Sequence, residues 1–266
     1  KFKMKNYKTF KYFLFLNIIF FLIPYASTHS LEDAINSKDR SVKNVKRDQY
    51  RNPYETLSFF EIQQDMKVVE LSPGGGWYTE ILANYIHAPG MLIAAHFDKN
   101  SERDFYVRMR NSFENKINQN PMYKNVSIVD LSSKLAEAET VDAVLTFRNL
   151  HNWIGPQIDI IFSNAHMALK KGGILGVVEH RANPGTSLEE MKKTGYVTEE
   201  YAIKIAKKHG FTLISKSEIN ANPKDTKDYA RGVWTLPPVL RLKEDDKQKY
   251  IAIGESDRMT LLFKKI

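Results

Sequence analysis

Residues 68–82, Val68-Val69-Glu70-Leu71-Ser72-Pro73-Gly74-Gly75-Gly76-Trp77-Tyr78-Thr79-Glu80-Ile81-Leu82, hold the chain to one local arrangement. A short apolar run reaches a carboxylate, three glycines follow, and apolar residues then recur at 77, 81, 82, 85 and 86. That pattern is a buried strand, a tight turn and the start of an amphipathic helix. With no side chains at 74–76, the N–H groups of the turn and of the helix start can face a polar or anionic ligand. A nucleotide-like ligand suits such a loop, and a plain strand-to-helix turn is the alternative.

The rest of the chain continues the alternation. Strands are expected at 66–71, 91–97, 125–129, 141–147 and 173–179, with helices near 77–87, 100–117 and 157–170 between them. A short helix after Pro53 carries Leu57, Phe59, Phe60 and Ile62. Thr198 caps a further helix that Gly210 closes, and strands follow at 211–214 and 258–263. Strict alternation predicts an α/β fold: a Rossmann-like open, mostly parallel sheet with helices on both faces. Ligands of such sheets sit outside the carboxyl ends of the strands, so residues just after 71, 97, 147 and 179 should share one crevice. Those positions are chemically loaded, with Arg148-Asn149-Leu150-His151-Asn152-Trp153 after one strand and Glu179-His180-Arg181 at the end of another.

The order of elements, the Glu70-Leu-Ser-Pro-Gly-Gly-Gly76 loop, the strand Val141-Asp142-Ala143-Val144-Leu145 and Lys171-Gly172-Gly173 before a strand resemble a class I S-adenosylmethionine-dependent methyltransferase. Phe147-Arg148-Asn149-Leu150-His151-Asn152-Trp153, Gly176-Val177-Val178-Glu179-His180-Arg181-Ala182, Gly232-Val233-Trp234-Thr235-Leu236-Pro237-Pro238 and Gly254-Glu255-Ser256-Asp257-Arg258-Met259 are similar to a narrower group of exported bacterial methyltransferases. The resemblance spans roughly residues 50–266 and implies an antiparallel C-terminal strand and S-adenosylmethionine as cofactor. It also implies a cofactor set of Glu70, Ser72, Gly74, Gly75, Gly76, Tyr78, His96, Asp98, Arg148 and Asn149. Two departures stand out. Serine takes the place of the first glycine at 72, and His96 takes the place of the acidic residue that holds the ribose hydroxyls, leaving Asp98 as the nearby carboxylate.

Methyl transfer is an in-line displacement in which alignment does most of the work, and a base is needed only for an oxygen or similarly acidic nucleophile. His151 is the first candidate base, with a loop-capping hydrogen bond as its structural alternative. His180 is the second, with Glu179 as an orienting or substrate-binding carboxylate, or else ion-paired to Arg148 or Arg181. Trp77, Tyr78 and Trp153 either contact a cationic or adenine group or fill the core. Residues 217–238 are long and polar enough for a loop over the crevice, and their Trp234-Thr235-Leu236-Pro237-Pro238 end is too apolar for free solution. The seven histidines show no HExxH-type spacing, so no metal site is expected.

At the N-terminus, Lys1, Lys3, Lys5, Lys8 and Lys11 precede the apolar run 13–23, then Pro24 and the small residues Ala26, Ser27 and Thr28. This is the layout of a signal peptide over residues 1–30, with an uncleaved anchor as the alternative, and it predicts an exported, periplasmic protein without a stable membrane span after cleavage. Removing it takes away five lysines and no acid, lowering the net charge from +8 to about +3, so no nucleic-acid partner is indicated. With no cysteine, disulfides and thiolate catalysis are excluded. Residues 31–52 read as a linker or N-terminal lid, and residues 53–266 as the methyltransferase-like domain. The expected acceptor is a small molecule or an envelope group. A non-catalytic exported binding protein that repurposes the crevice is the competing reading.

Overall fold

The computed structural model describes residues 30–266, so the segment read from sequence as a signal peptide lies outside the described residues apart from Ser30. Among the described residues the strands are β1 (Lys67–Leu71), β2 (Met91–His96), β3 (Val126–Asp130), β4 (Val141–Phe147), β5 (Leu169–His180), β6 (Phe211–Ser217) and β7 (Arg258–Lys265). The helices are α1 (Leu31–Ile35), α2 (Val42–Val45), α3 (Pro53–Phe59), α4 (Trp77–Tyr85), α5 (Asp104–Gln119), α6 (Leu150–Trp153), α7 (Pro156–Ala168), α8 (Leu188–Thr194), α9 (Glu199–Lys208) and α10 (Lys247–Ile253). One sheet contains all the strands in the order β3-β2-β1-β4-β5-β7-β6. β1 to β5 run parallel, and β7 inserts antiparallel between β5 and β6, with Val177 opposite Leu261. The order reverses between β1 and β4, where open α/β sheets leave room for a ligand.

Period-two alternation along the strands sends side chains to two cores. Val69, Leu71, Ile93, Ala95, Val144 and Leu175 meet α7 and α9 through Ile158, Ile161, Phe162, Ala202 and Ala206. Val68, Leu92, Ala94, Ala143 and Leu145 meet the other layer through Leu57, Ile81, Leu82 and Phe113. The observed strands follow the expected ones closely at the N-terminal half. The main shift is at α7, which stops at Ala168 because Leu169 turns to extended backbone and pairs with Val141, so β5 begins four residues before 173.

Residues 31–52, read from sequence as linker or lid, fold onto α4. Ser30 and Asp33 form a capping box at α1, which buries Leu31 and Ala34. The Ser41 hydroxyl donates to Glu80, and the Trp77 indole N–H donates to the Asn44 carbonyl at 2.8 Å. Arg40, 4 % exposed, forks onto Asp48 at 2.7 and 2.8 Å.

Alternation also corrects the expected role of Glu70. It shares the face of Val68 and therefore lies beneath α4, 2 % exposed, where it accepts the Thr79 hydroxyl at 2.6 Å. Burial pushes its carboxyl up to about 7, against the opposing pull of the Thr79 hydrogen bond and Lys116. A raised carboxyl favours the folded state while protonated, so its contribution is full below about 4.5 and is lost as pH rises through about 7. Glu70→Gln removes that dependence, a difference of at most about 3 kcal/mol at pH 8. Thermal unfolding should show equal Tm values at pH 4 and a variant on the order of 5 °C more stable at pH 8. Parallel Tm profiles across that range would refute the assignment.

Candidate functional site

Two strained residues shape the strand ends. Ser72, just past β1, has φ 49° and Arg148, just past β4, has φ 65°, a region that non-glycine residues seldom adopt. Each is pinned by its backbone: Ser72 N–H donates to Ala95 O at 2.8 Å and Arg148 N–H to Val178 O at 2.7 Å. The Asn149 side-chain amide then ties the two loops, reaching Leu71 O at 3.1 Å and Ser72 O and Thr146 Oγ1 at 3.2 Å. Between these loops lies a crevice of about 600 Å³, lined by Ser72, Gly74, Gly75, Arg148, Asn149, His151 and His180 from the sequence-predicted set. Val233, Trp234, Pro237 and Pro238 form its far wall, so the expected covering role of this segment matches its position. A second hollow of about 410 Å³ continues from Ser72 and Asn149 to Phe97, Tyr106 and Trp153, and a third of about 380 Å³ adds Asp98 and Leu131.

The three glycines differ in what they permit. A Cβ at Gly74 or Gly75 would meet nothing within 4 Å, whereas one at Gly76 would stand 3.1 Å from Phe113. Gly74 and Gly75 thus present bare backbone to the crevice, while Gly76 serves packing and the φ of 78° that starts α4. The Ser72 hydroxyl is buried at the same place without a hydrogen-bond partner. A buried hydroxyl without a partner calls for an explanation, and a polar ligand in the adjoining crevice supplies one.

Four members of the expected cofactor set lie elsewhere. Glu70 is beneath α4, as described, and Gly76 packs on Phe113. Tyr78 is 4 % exposed and stacks on Phe147 with ring centroids 3.5 Å apart. His96 shares the face of Leu92 and Ala94, so its ring sits 4.8 Å from Phe113 instead of at the sheet edge. Its Nδ1 accepts the Phe97 N–H at 2.8 Å, which leaves Nε2 to donate to Gly74 O at 3.1 Å. Burial holds this imidazole below its usual range and hence neutral. His96 is a brace for the glycine loop, and both of its nitrogens are occupied. Asp98 does reach the hollow, where it accepts the Ser132 N–H at 3.2 Å and the Ser132 hydroxyl.

His151, Glu179 and His180 form one constellation. The Glu179 carboxylate is wholly buried and accepts Leu150 N–H at 2.5 Å, His180 N–H at 2.8 Å and the His151 ring at 3.1 Å. A carboxylate only accepts here, so the His151 ring donates to it from Nδ1, and the residue lines the crevice. Neither expected arginine pair forms: Arg181 instead engages Asp257, Glu218 and Glu199. The His180 ring meets Ser256 Oγ at 2.5 Å, and burial, aided by His151 and nearby arginines, keeps it well below its ordinary titration range. Ligand atoms of the three residues lie within 4.8 Å of one another, a spacing a metal ion could use. The Glu179 oxygens already serve backbone donors, so an ion would have to compete with the Leu150 N–H bond that starts α6 and the His180 N–H bond at the end of β5.

Sequence reasoning missed a group of arginines. Arg47, Arg51 and Arg258 all contact Glu255, and with Arg148 they line the crevice. Burial would raise the Glu255 carboxyl, but these four guanidiniums overrule it and hold it at about 2. Arg258 and Glu255 stood within the motif 254–259, which was the available signal, whereas Arg47 and Arg51 fell in the segment read as a linker.

No family model matches the sequence, and no curated protein matches it. Solved structures share the fold. A SAM-dependent methyltransferase from Aquifex aeolicus is 15% identical with a TM-score of 0.56, covering 89% of this chain and 99% of its own. A geranyl diphosphate methyltransferase in complex with SAM is 10% identical with a TM-score of 0.58, covering 88% and 95%. A [4+2]-cyclase is 14% identical with a TM-score of 0.57, covering 81% of each chain. At such identities the likeness establishes the class I methyltransferase fold, with its mostly parallel sheet and antiparallel C-terminal strand, and function has to be argued from the site.

Proposed function

We propose that this chain is an S-adenosylmethionine-dependent methyltransferase acting on a small molecule or an envelope group. The observation that carries the reading is the bare Gly74 and Gly75 backbone lying in the same crevice as His151, which Glu179 orients. Two of the three solved relatives above, a SAM-dependent methyltransferase and a methyltransferase in complex with SAM, support it. The residues fit the cofactor. Ser72, Gly74 and Gly75 would hold its amino-acid part, and Phe97, Asp98 and Leu131 its adenosine part. Asp98 retains acceptor capacity beyond its Ser132 bonds, so it takes the ribose role that His96 cannot fill.

S-adenosylmethionine supplies an electrophilic methyl group when bound. The chain's own part is alignment and proton handling. Asn149 locks the two strand-end loops together, which fixes where an acceptor can lie. The far wall of Val233, Trp234 and the two prolines shields the crevice from water. His151 Nε2 accepts the acceptor's proton as its nucleophile attacks, and Glu179 stabilises the resulting imidazolium through Nδ1–H. The leader read over residues 1–30 supports export, and the narrower motifs support a place among exported bacterial methyltransferases. The second reading, a non-catalytic binding protein, is favoured by the saturated His96 ring.

Calorimetric titration of S-adenosylmethionine and S-adenosylhomocysteine into the full chain should give micromolar affinities. Gly75→Leu should abolish them with Tm nearly unchanged, since Gly75 lacks a positive φ and a Cβ there meets open space. No binding at millimolar ligand would leave the binding-protein reading standing. With an oxygen acceptor, His151→Ala should lower kcat by roughly 10²-fold or more while cofactor affinity stays within about twofold. Unchanged turnover would return His151 to a loop-capping role. N-terminal sequencing of protein from the extracytoplasmic fraction should begin near residue 30, and recovery only from cytosol would end the export reading.

A further inference from the structure

The crevice has a cationic pole. Arg47, Arg51 and Arg258 surround the single carboxylate of Glu255, with Arg47 at 2.6 Å and Arg51 at 3.2 Å. Arg51 and Arg258 are each 2 % exposed. Arg148 lines the same crevice and has no hydrogen bond or ion pair to its guanidinium among the described residues. Four guanidiniums against one carboxylate leave three positive charges uncompensated, Lys43 adds a further cation to the lining, and no Asp or Glu lines the crevice. Donors are unused as well. Arg47 Nη2, Arg51 Nη1 and Nη2, and Arg258 Nε are buried without a hydrogen-bond partner.

Such an arrangement is unfavourable in isolation, because a buried charge or donor without a partner loses its hydration and gains nothing in return. Holding the N-terminal segment to Glu255 explains one arginine and not three, and it explains none of the free donors. Burial and the neighbouring cations press the Arg51 guanidinium well below its usual range, a second sign of missing negative charge. The Trp77 face, 4.6 Å from Arg51, supplies only part of it.

We propose that this pole, formed by Arg51, Arg148 and Arg258 with Arg47 behind them, binds a phosphate or diphosphate group on the methyl acceptor. A monocarboxylate would leave two of the three excess charges standing, whereas a phosphate dianion or a diphosphate compensates most or all of them. Guanidinium forks suit phosphate oxygens, which accept paired N–H donors. The pole adjoins His151 and His180 within the one crevice, so an anchored phosphate places the rest of the acceptor beside the base. The proposal rests on the methyltransferase reading for the word acceptor, and the anion site itself does not.

The test is calorimetry and thermal shift with inorganic phosphate and pyrophosphate on the full chain, at constant ionic strength set with sodium chloride. Each titration is made on free protein and on protein saturated with S-adenosylhomocysteine. Submillimolar binding in both states is expected, with Arg148→Gln weakening it at least 10-fold. Arg148 is the first choice because the fold uses no hydrogen bond from its side chain, and Arg148→Lys should recover part of the loss. Arg51→Gln, which removes two of the free donors, should weaken phosphate similarly. Phosphate binding lost on saturation with S-adenosylhomocysteine would mean that the pole reads the cofactor's own carboxylate, and the acceptor proposal falls. Absence of binding at tens of millimolar phosphate, or indifference to Arg148→Gln, overturns it too. Phosphate binding without S-adenosylhomocysteine binding would sink the methyltransferase reading and keep the anion site.

Discussion

Glu255 joins the two ends of the folded chain, because the cations it gathers come from both. Arg47 and Arg51 belong to the segment before α3, and Arg258 opens β7, whose hydrogen bonds reach β5 on one side and β6 on the other. Arg258 also donates to the Tyr50 carbonyl at 2.8 Å, so the same guanidinium fixes the backbone that carries Arg51. Without this carboxylate the N-terminal segment would lose its two arginine ties to Glu255, leaving the Tyr50 carbonyl on Arg258 and the Asn52 amide on the Ile219 carbonyl to hold it near the sheet. This part of the crevice therefore rests in part on a charge contact between residues more than two hundred positions apart, which no local pattern in the sequence announces.

What was legible and what was not follows from the range of the forces involved. Strand and helix positions in the parallel half depend on periodicity that a window of a dozen residues contains, and 67–71, 91–96 and 141–147 emerged within a residue or two of expectation. The glycine loop and Asn149, His151 and His180 were legible because strand ends in an open sheet converge for topological reasons. Glu70 and His96 were misplaced by a different route. Both sit on the face of their strands that looks into the α4 and α5 layer, and a position inherited by resemblance ignored the alternation that decides facing. The arginine pole was illegible for the reason already given: half of it lay in a charged stretch without apolar periodicity.

Strain and bracing are matched around the site. Ser72 and Arg148 hold left-handed backbone at the mouths of β1 and β4, conformations that cost on the order of 1 kcal/mol or more each. Each is met by a backbone hydrogen bond to the neighbouring strand, and Asn149 and His96 supply further donors to the carbonyls that these turns expose. The outcome is a pair of rigid loops. Their orientation is set before any ligand arrives, which is the property that alignment-driven chemistry requires.

Under the proposed reading, the charge of the crevice bears on the chemistry itself. A sulfonium donor is a cation, and three uncompensated guanidinium charges nearby oppose its binding unless an anion stands between them. A phosphorylated acceptor would provide that anion and so couple the two ligands: each makes the crevice more hospitable to the other. Transfer of the methyl group removes the sulfonium charge, which weakens that coupling on the product side and favours release. His180 takes no part in this balance, since burial and the surrounding cations keep it neutral, and a second imidazolium beside His151 would oppose protonation of the base. Placing one neutral imidazole and one carboxylate-backed imidazole side by side thus leaves a single proton acceptor in a field that is otherwise positive, and Glu179 is what makes that acceptor usable.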